Sequence, residues 1–270
     1  MKKKVLALSL CVVMLAIAIV GGTLAYFTDT KSATNTFTVG NVKIDLIESR
    51  FHREGNDNSG DTSIPDPTQT ASGMEYVTDG HKAFTDEEIK ADAETYMNDY
   101  LAVKGKNMVP GRGVAKCPYV VNAGANDAYI RIRVMVPSKA NNDFVKVEDG
   151  GVITNQWCAT SMLCGEFQSG DQTGYPVITK EVEKDGVKYD VYTFTRNEPL
   201  KAGAMTEWNV WNFIGIDKTA TSADIQKASE NGAFTTNNDG TMTLNVLVEA
   251  DAIQADGFAN ATDAFAAFDQ

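Results

Sequence analysis

The residues that could carry out catalysis are few, and none falls in a recognised catalytic arrangement. Zinc-dependent hydrolysis often uses two histidines four positions apart on a helix, with a glutamate directly after the first. The chain has two histidines, His52 and His81, which are far apart in sequence and lie in no such motif. We therefore interpret both as exposed loop residues and predict no metal ligand.

Nucleophilic catalysis and phosphate binding are not supported either. The chain has no GxSxG motif for a serine nucleophile, and no local feature suggests an activated cysteine. Residues 111–113 (GRG) lack the lysine and spacing of a P-loop, and residues 57–61 (DNSGD) lack the glutamate and spacing of an EF-hand loop. We interpret the first as turn glycines and the second as a flexible acidic loop. The sequence therefore predicts no catalytic residue, no cofactor and no enzymatic activity.

The cysteines bear on the compartment in which the chain folds. Cys11 lies in the N-terminal apolar segment, and Cys117, Cys158 and Cys164 remain. Three is an odd number, which excludes a closed disulfide framework. Cys158 and Cys164 are close enough to form a disulfide in an oxidising exterior, although closing a short loop stabilises little. Two separate buried thiols are the alternative.

The N-terminus has the three parts of a secretory signal peptide. Residues 1–4 are basic, residues 5–20 are apolar, and small residues follow up to Ala25. We predict cleavage between Ala25 and Tyr26, and hence secretion. The apolar run is shorter than the roughly 20 residues that span a bilayer. An uncleaved N-terminal anchor is the alternative, and it would be the chain's contact with the membrane.

The charge of the chain limits its partners. The formal net charge is −12, and residues 1–25 contain three lysines and no acidic residue, so their removal changes it to −15. Such a field repels nucleic acid and anionic lipid, which excludes both as partners. Acidity by itself predicts solubility and identifies no partner.

Hydrophobic periodicity predicts mostly short strands. Alternating apolar residues predict strands over residues 36–48, 129–136, 207–216 and 241–249. In the second of these, the pattern places Arg131 and Arg133 on the solvent face. Lys184-Asp185-Gly186 between two apolar runs predicts a hairpin over residues 177–194.

Helices are predicted as additions to this framework. A capping box at residues 85–88 and apolar residues at spacings of three and four predict an amphipathic helix over residues 86–101. Shorter helices are predicted over residues 222–229 and 262–268, the last with Phe265 and Phe268 facing inward. Residues 54–73, rich in Gly, Asn, Asp and Pro, predict a surface loop.

These elements predict a mainly β fold. Many short strands with Gly, Asn and Asp turns favour an antiparallel β-sandwich of jelly-roll type with inserted helices. After a signal peptide over residues 1–25, residues 26–270 would form a single domain. An acidic loop and helix would be inserted at about residues 51–106.

Several stretches resemble a known family. Residues 21–29 (GGTLAYFTD) and 35–46 (NTFTVGNVKIDL) resemble the signal and first strand of the TasA/camelysin proteins of Gram-positive bacteria. Residues 110–136 and 248–258 are also similar to that family, whereas residues 51–106 look like an insertion. The resemblance implies a jelly-roll β-sandwich and cleavage by a SipW-type signal peptidase. It also implies assembly, in many members, into fibres of the biofilm matrix.

In such fibres the N-terminal strand of one subunit completes a sheet of the next. Residues 26–39 would be that donor strand here, with Tyr26, Phe27, Phe37 and Val39 as its apolar residues. The segment is rich in Thr, lacks Pro and is tethered at one end, so it could add to an open sheet edge. The alternative is that it pairs within its own chain or stays disordered.

The function implied is that of a secreted structural protein of the cell surface or extracellular matrix. Its partners would be copies of itself or related matrix subunits. Camelysin relatives are described as metallopeptidases, so a secreted metalloendopeptidase is the alternative, although the residues lack a zinc motif. A third interpretation is an accessory adhesin whose insertion at residues 51–106 binds a partner.

Overall fold

The structure is a computed structural model, and it describes most of the chain. The described residues are 28–32, 35–38, 42–51, 63–65, 76–78, 84–102, 105, 108–111, 113–138, 152–157, 166–169 and 177–270. Every strand pairing among them is antiparallel. The prediction of a mainly β sandwich with inserted helices is confirmed.

Sixteen strands and three α-helices are described. The strands are β1 (Thr28–Ser32), β2 (Asn35–Thr38), β3 (Ile44–Ser49), β4 (Ser63–Pro65), β5 (Tyr76–Thr78), β6 (Gly113–Ala115), β7 (Cys117–Asn122), β8 (Ala128–Pro137), β9 (Ile153–Trp157), β10 (Phe167–Ser169), β11 (Ile178–Lys184), β12 (Val187–Arg196), β13 (Trp211–Ile216), β14 (Thr235–Thr236), β15 (Met242–Thr243) and β16 (Leu247–Gln254). The helices are α1 (Asp86–Thr95), which continues as a π-helical turn (Tyr96–Leu101), α2 (Ser222–Glu230) and α3 (Ala261–Phe268).

The strands form two layers. The larger sheet has the order β10-β12-β8-β16-β1-β2, and β11 pairs with β12 beside β10. The opposite layer consists of the sheet β6-β13-β9 and the pair β3-β7. Two short ribbons, β4-β5 and β14-β15, are additional. The first of these lies partly in the predicted surface loop, and Pro65 is the last residue of its strand.

The main core lies between the layers. Alternate residues of β8 and β16 face it, as the period-two pattern predicted, and they meet side chains from β3, β7 and β13. Its fully buried large side chains include Ile44, Val120, Ile130, Ile132, Phe194 and Trp211. The sandwich is therefore held by apolar burial between sheets that are not continuous with each other.

The predicted first strand is two strands. Residues 36–48 divide into β2, in the large sheet, and β3, which pairs with β7 in the opposite layer. Val42 and Ile44 are fully buried, so the apolar alternation correctly identified the inner face of β3. The prediction of one strand was wrong because periodicity does not reveal that the chain crosses between layers.

The Asp185-Gly186 pair correctly predicted the hairpin of β11 and β12. Strands β11 and β12 are joined by Asp185 and Gly186, which have φ of 54° and 79°. Positive φ at both central residues is what a type I′ turn requires. At the end of the chain, the predicted strand over residues 241–249 divides into β15 and β16, and β16 extends to Gln254.

The inserted helix begins where it was predicted. Thr85 and Glu88 form the capping box, each side chain bonding the other's backbone N–H. Two of its residues, Ile89 and Tyr96, are fully buried against the sandwich. After Thr95 the helix widens into the π-helical turn, which the helical period did not predict.

The outer face of the large sheet is partly covered. Helix α3 packs on Tyr129 and Ile253, burying Phe265. Arg131 lies beneath this helix and is 8% exposed. The expectation that Arg131 faces solvent was wrong, because a helix from the far end of the sequence covers that face.

Candidate functional site

The N-terminal strands form one border of the large sheet. Strand β1 pairs with β16 from Thr28↔Ile253 to Ser32↔Glu249, and β2 pairs with β1. In the described part of the chain, β2 is the outer strand on this side. The segment singled out by the sequence thus lies at a sheet edge, where a strand can be added or exchanged.

The residues predicted for the donor strand are only partly described. Phe37 lies in β2, opposite Thr30 of β1. Tyr26, Phe27 and Val39 lie outside the described residues, as does Ala25 at the predicted cleavage site. In this structure β1 pairs within its own chain, which corresponds to the alternative stated above. Donation to another subunit remains a prediction, and the register identifies the residues that a donated strand would meet.

Strand β1 consists of polar residues. Its sequence, TDTKS, contains no aliphatic or aromatic residue. Most of the free energy that retains a strand comes from apolar burial, whereas a backbone hydrogen bond contributes a net of about 1 kcal/mol. For β1 the structure describes backbone pairing, over five positions with β16 and over four with β2.

Strand β16 is held much more firmly. It pairs with β8 over eight residues, from Leu247↔Met135 to Gln254↔Ala128. Its inward residues Val248, Ala250 and Ala252 belong to the main core. The strand that carries β1 therefore remains in place through contacts that do not involve β1.

The outward residues of β16 form ion pairs with β8. Asp251 is fully buried and accepts hydrogen bonds from Arg131 Nε at 2.9 Å and Arg133 Nη2 at 2.8 Å. Glu249 pairs with the same Arg133 at 3.1 Å and with Lys184 at 2.5 Å. This row of charges joins β16 to β8 and to the end of β11.

Arg131 also ties α3 to the sheet. Its guanidinium binds both carboxylate oxygens of Asp269, at 2.7 and 2.8 Å, and lies 4.5 Å from the ring centroid of Phe265. Burial lowers the pKa of Arg131, but its bonds to Asp269 and Asp251 outweigh this and raise the pKa above its ordinary value. The hydrogen bond from Arg131 lowers the pKa of Asp269. Both groups stay charged at neutral pH.

The two borders of the large sheet differ in charge. Strand β11, at the border opposite β2, has the sequence ITKEVEK, in which four of seven residues are charged. Charged side chains on an edge strand discourage pairing with another chain. Strand β2 has the sequence NTFT and carries no charge. The N-terminal border is therefore the one whose composition permits strand addition.

Most of the other residues that could do chemistry are not among those that the structure describes. His52 and His81 lie outside the described residues, as do residues 57–61 and the pair Cys158 and Cys164. Cys117 begins β7 and is buried. Within the residues that the structure describes, no group of three or more His, Cys, Asp or Glu could hold a metal ion. Nor does any helix in the same part of the chain have the length and apolar character to cross a membrane.

An open cleft of about 580 Å³ is lined by the start of α1, the residue before β8, the end of β12 and the segment of residues 198–207 that follows it. Its described lining residues are carboxylates, two basic groups and apolar side chains, and one of the basic groups, Arg196, is paired with Glu166 at 2.7 Å. Among its described lining residues there is no histidine, serine or cysteine. Its lining residues are Asp86, Asp127, Arg196, Glu198, Pro199, Leu200, Lys201, Ala204, Met205 and Glu207.

The sequence patterns did not identify β16 as the strand that pairs with β1. Glu249 and Asp251 alternate with apolar residues on β16, and Arg131 and Arg133 alternate in the same way on β8. Opposite charges at the outward positions of two strands are a signal that could have suggested pairing between them. No comparable pattern in the sequence indicated that α3 covers the outer face of β8 and β16.

Comparison with known proteins supports a family relationship over the N-terminal part. The family model of the camelysin metallo-endopeptidases matches residues 1–66. This match confirms the resemblance to the camelysin family over that segment, which includes β1, β2 and β3. No curated protein and no solved structure matches the chain.

Proposed function

We propose that this chain is an exported structural protein of the bacterial cell surface or extracellular matrix, acting through assembly and not through catalysis. Its partners are further copies of itself or related matrix subunits. The observation that carries the proposal is the position of β1, a polar strand near the N-terminus that pairs with β16 at the sheet border.

The proposed mechanism is strand exchange. When β1 leaves β16, the backbone positions of residues 249–253 become free to pair. The same residues of another copy's β1 fit these positions in the same register, because the two copies have the same sequence. Exchange then replaces the β1–β16 pairing within one copy by the same pairing between two copies. Each copy both donates and accepts a strand.

Export precedes assembly in this proposal. A SipW-type signal peptidase would cleave between Ala25 and Tyr26, which frees the N-terminus immediately before β1. A strand with a free end can be donated without threading a loop. The match of the camelysin family model to residues 1–66, which include this segment, supports the assignment.

The test compares filament formation by two chains. The mature chain beginning at Tyr26 and a chain beginning at Gly40, which lacks β1 and β2, are purified and imaged by electron microscopy. We expect filaments from the first chain and none from the second. Equal filament formation by both would remove strand donation from the proposal.

A pair of single substitutions in the mature chain serves as a matched control. Thr30→Pro removes a backbone N–H and restricts the backbone in the middle of β1, whereas Thr30→Ser keeps the strand chemistry. We expect loss of filaments with Thr30→Pro and retention with Thr30→Ser. Circular dichroism of both variants checks that the sandwich is intact.

The second candidate function is a secreted metalloendopeptidase, favoured by the description of the matching family model. Its test is metal analysis of the purified mature chain, followed by casein cleavage. Bound zinc, with cleavage abolished by His52→Ala or His81→Ala, would favour the peptidase over the structural function.

A further inference from the structure

One strand position in the smaller layer is occupied by side chains. Strand β6 pairs with β13 on one side, with Ala115 opposite Phe213. The carbonyl oxygen of Ala115 accepts a hydrogen bond of 2.5 Å from the hydroxyl of Tyr96. Its N–H donates one of 3.2 Å to the hydroxyl of Tyr100. Both groups of one antiparallel residue point to the same side, so Ala115 presents its backbone to the inserted helix.

A strand would be expected at that side if β3 were longer. Strand β3 pairs with β7 up to Ser49↔Cys117, and continuing this register would place Phe51 opposite Ala115. The chain turns away first. The backbone N–H of Phe51 donates to Ser49 Oγ at 3.0 Å, and its ring stacks on Phe84 at 4.1 Å. Among the residues that the structure describes, β4 approaches β6 without pairing with it, and the side chains of Tyr96 and Tyr100 bond Ala115 on this side.

The inserted helix positions the side chains of Tyr96 and Tyr100 beside β6. Tyr96 and Tyr100 belong to the π-helical turn, are 0% and 8% exposed, and pack on Val114 and Ala115. Burial, and then the charge of Glu48, raises the pKa of Tyr96 well above its ordinary value. Burial raises the pKa of Tyr100 to about 12. Both hydroxyls are therefore protonated at neutral pH.

We propose that the inserted helix is an edge cap, in which Tyr96 and Tyr100 occupy the place beside β6 that an extended strand of a second copy would otherwise take. Side chains that bond Ala115 satisfy its backbone groups without offering a further N–H and C=O ladder. An approaching strand finds no continuous edge there. The hydrogen bonds from the edge cap to Ala115 do not depend on the proposed function. Its consequence, that copies join only at the N-terminal border, rests on that function.

The test removes the hydroxyl groups and keeps the rings. The variant Y96F/Y100F is compared with Y119F, in which the lost hydroxyl bond is to the carbonyl of Phe51 and not to β6. Amide hydrogen exchange reports on Ala115. We expect it to be at least about tenfold faster in Y96F/Y100F and unchanged in Y119F. Unchanged exchange in both variants would overturn the cap.

Association is then measured by sedimentation of the mature chain, below the concentration at which it forms filaments, so that β1 still covers β16. We expect Tyr100→Ala, which opens space beside β6, to form oligomers at concentrations where the parent chain stays monomeric. Y96F/Y100F keeps both rings in that space, so it should associate less than Tyr100→Ala. Faster exchange at Ala115 without new oligomers from either variant would refute the proposal.

The two proposals fail in different ways. If the mature chain makes no filaments but Tyr100→Ala gains oligomers, strand donation is wrong and the cap stands. If the mature chain makes filaments and uncapping changes nothing, the cap is wrong and strand donation stands. Near-UV circular dichroism identifies any variant that has lost its fold. If Tyr100→Ala has lost it, amide exchange of Ala115 in Y96F/Y100F, which keeps both rings, decides whether the tyrosines cap β6.

Discussion

At the level of single residues, Arg131 connects the charged row of the large sheet to the C-terminal end of the chain. It lies on β8, binds Asp251 on β16, and reaches Asp269 after α3, 138 residues further along the chain. Asp251 is fully buried, so its charge is tolerated only because Arg131 and Arg133 both compensate it. Arginine suits this place because its planar group can bind two carboxylates and stack on an aromatic ring at once.

Replacing Arg131 should therefore be costly. We expect Arg131→Ala to lower the free energy of unfolding by about 3 kcal/mol, since it leaves Asp251 with one cationic partner and uncovers Phe265. Urea denaturation of the mature chain measures the loss. Lys188→Ala is the control, because its pair with Glu181 is exposed and 3.7 Å long, and it should change stability by less than about 0.5 kcal/mol. Equal losses would mean that the charge of Asp251 is compensated in another way.

At the level of elements, the inserted helix is part of the sandwich. Asp92 of α1 is 6% exposed and accepts hydrogen bonds from Ser49 Oγ at 2.7 Å, Arg50 N–H at 2.9 Å and Arg50 Nε at 2.8 Å. These bonds fasten α1 to the end of β3. An insertion that could be deleted without loss of folding, as the adhesin interpretation supposes, would not bury Ile89 and Tyr96.

This anchoring can be measured. Asp92→Ala should lower the free energy of unfolding by about 2 kcal/mol, because it leaves three donors of Ser49 and Arg50 without their acceptor. Glu94→Ala, on the exposed side of the same helix, should stay within about 0.5 kcal/mol of the parent. Urea denaturation followed by tryptophan fluorescence compares them. A loss no larger than that of Glu94→Ala would show that α1 contributes little to the sandwich.

At the level of the whole molecule, net charge and the composition of the sheet borders would both affect the proposed assembly. With residues 1–25 removed the net charge is −15, so copies repel one another at long range. The charged strand β11 discourages pairing at one border, while β1 and β2 offer a border with little charge. The proposed assembly through β1 would therefore have to overcome repulsion between whole molecules before the strands could meet.

Ionic strength should control the rate of that assembly. Between 0.01 M and 0.15 M salt the screening length falls from about 30 Å to about 8 Å, which removes most of the long-range repulsion. We expect the lag time for filament formation by the mature chain to shorten several-fold over this range, as followed by light scattering. Sucrose at equal osmolarity, which screens no charge, should leave the lag time nearly unchanged. A lag time independent of salt would show that repulsion does not limit assembly.

The sequence by itself determined the local elements. The capping box at Thr85, the turn at Asp185-Gly186 and the alternation along β8 each depend on residues a few positions apart. Such patterns are readable because local geometry alone requires those residue types. The N-terminal segment that matches the camelysin family was recognisable for the same reason, since its motif is continuous in sequence.

Only the tertiary structure decided which elements meet. It placed β1 against β16, brought α3 over Arg131, and put Tyr96 and Tyr100 in the place of a strand beside β6. These contacts join residues that are distant in sequence, and their formation depends on the packing of the two layers as a whole. Periodicity reports which side of an element is apolar, but it does not report which other element will cover that side.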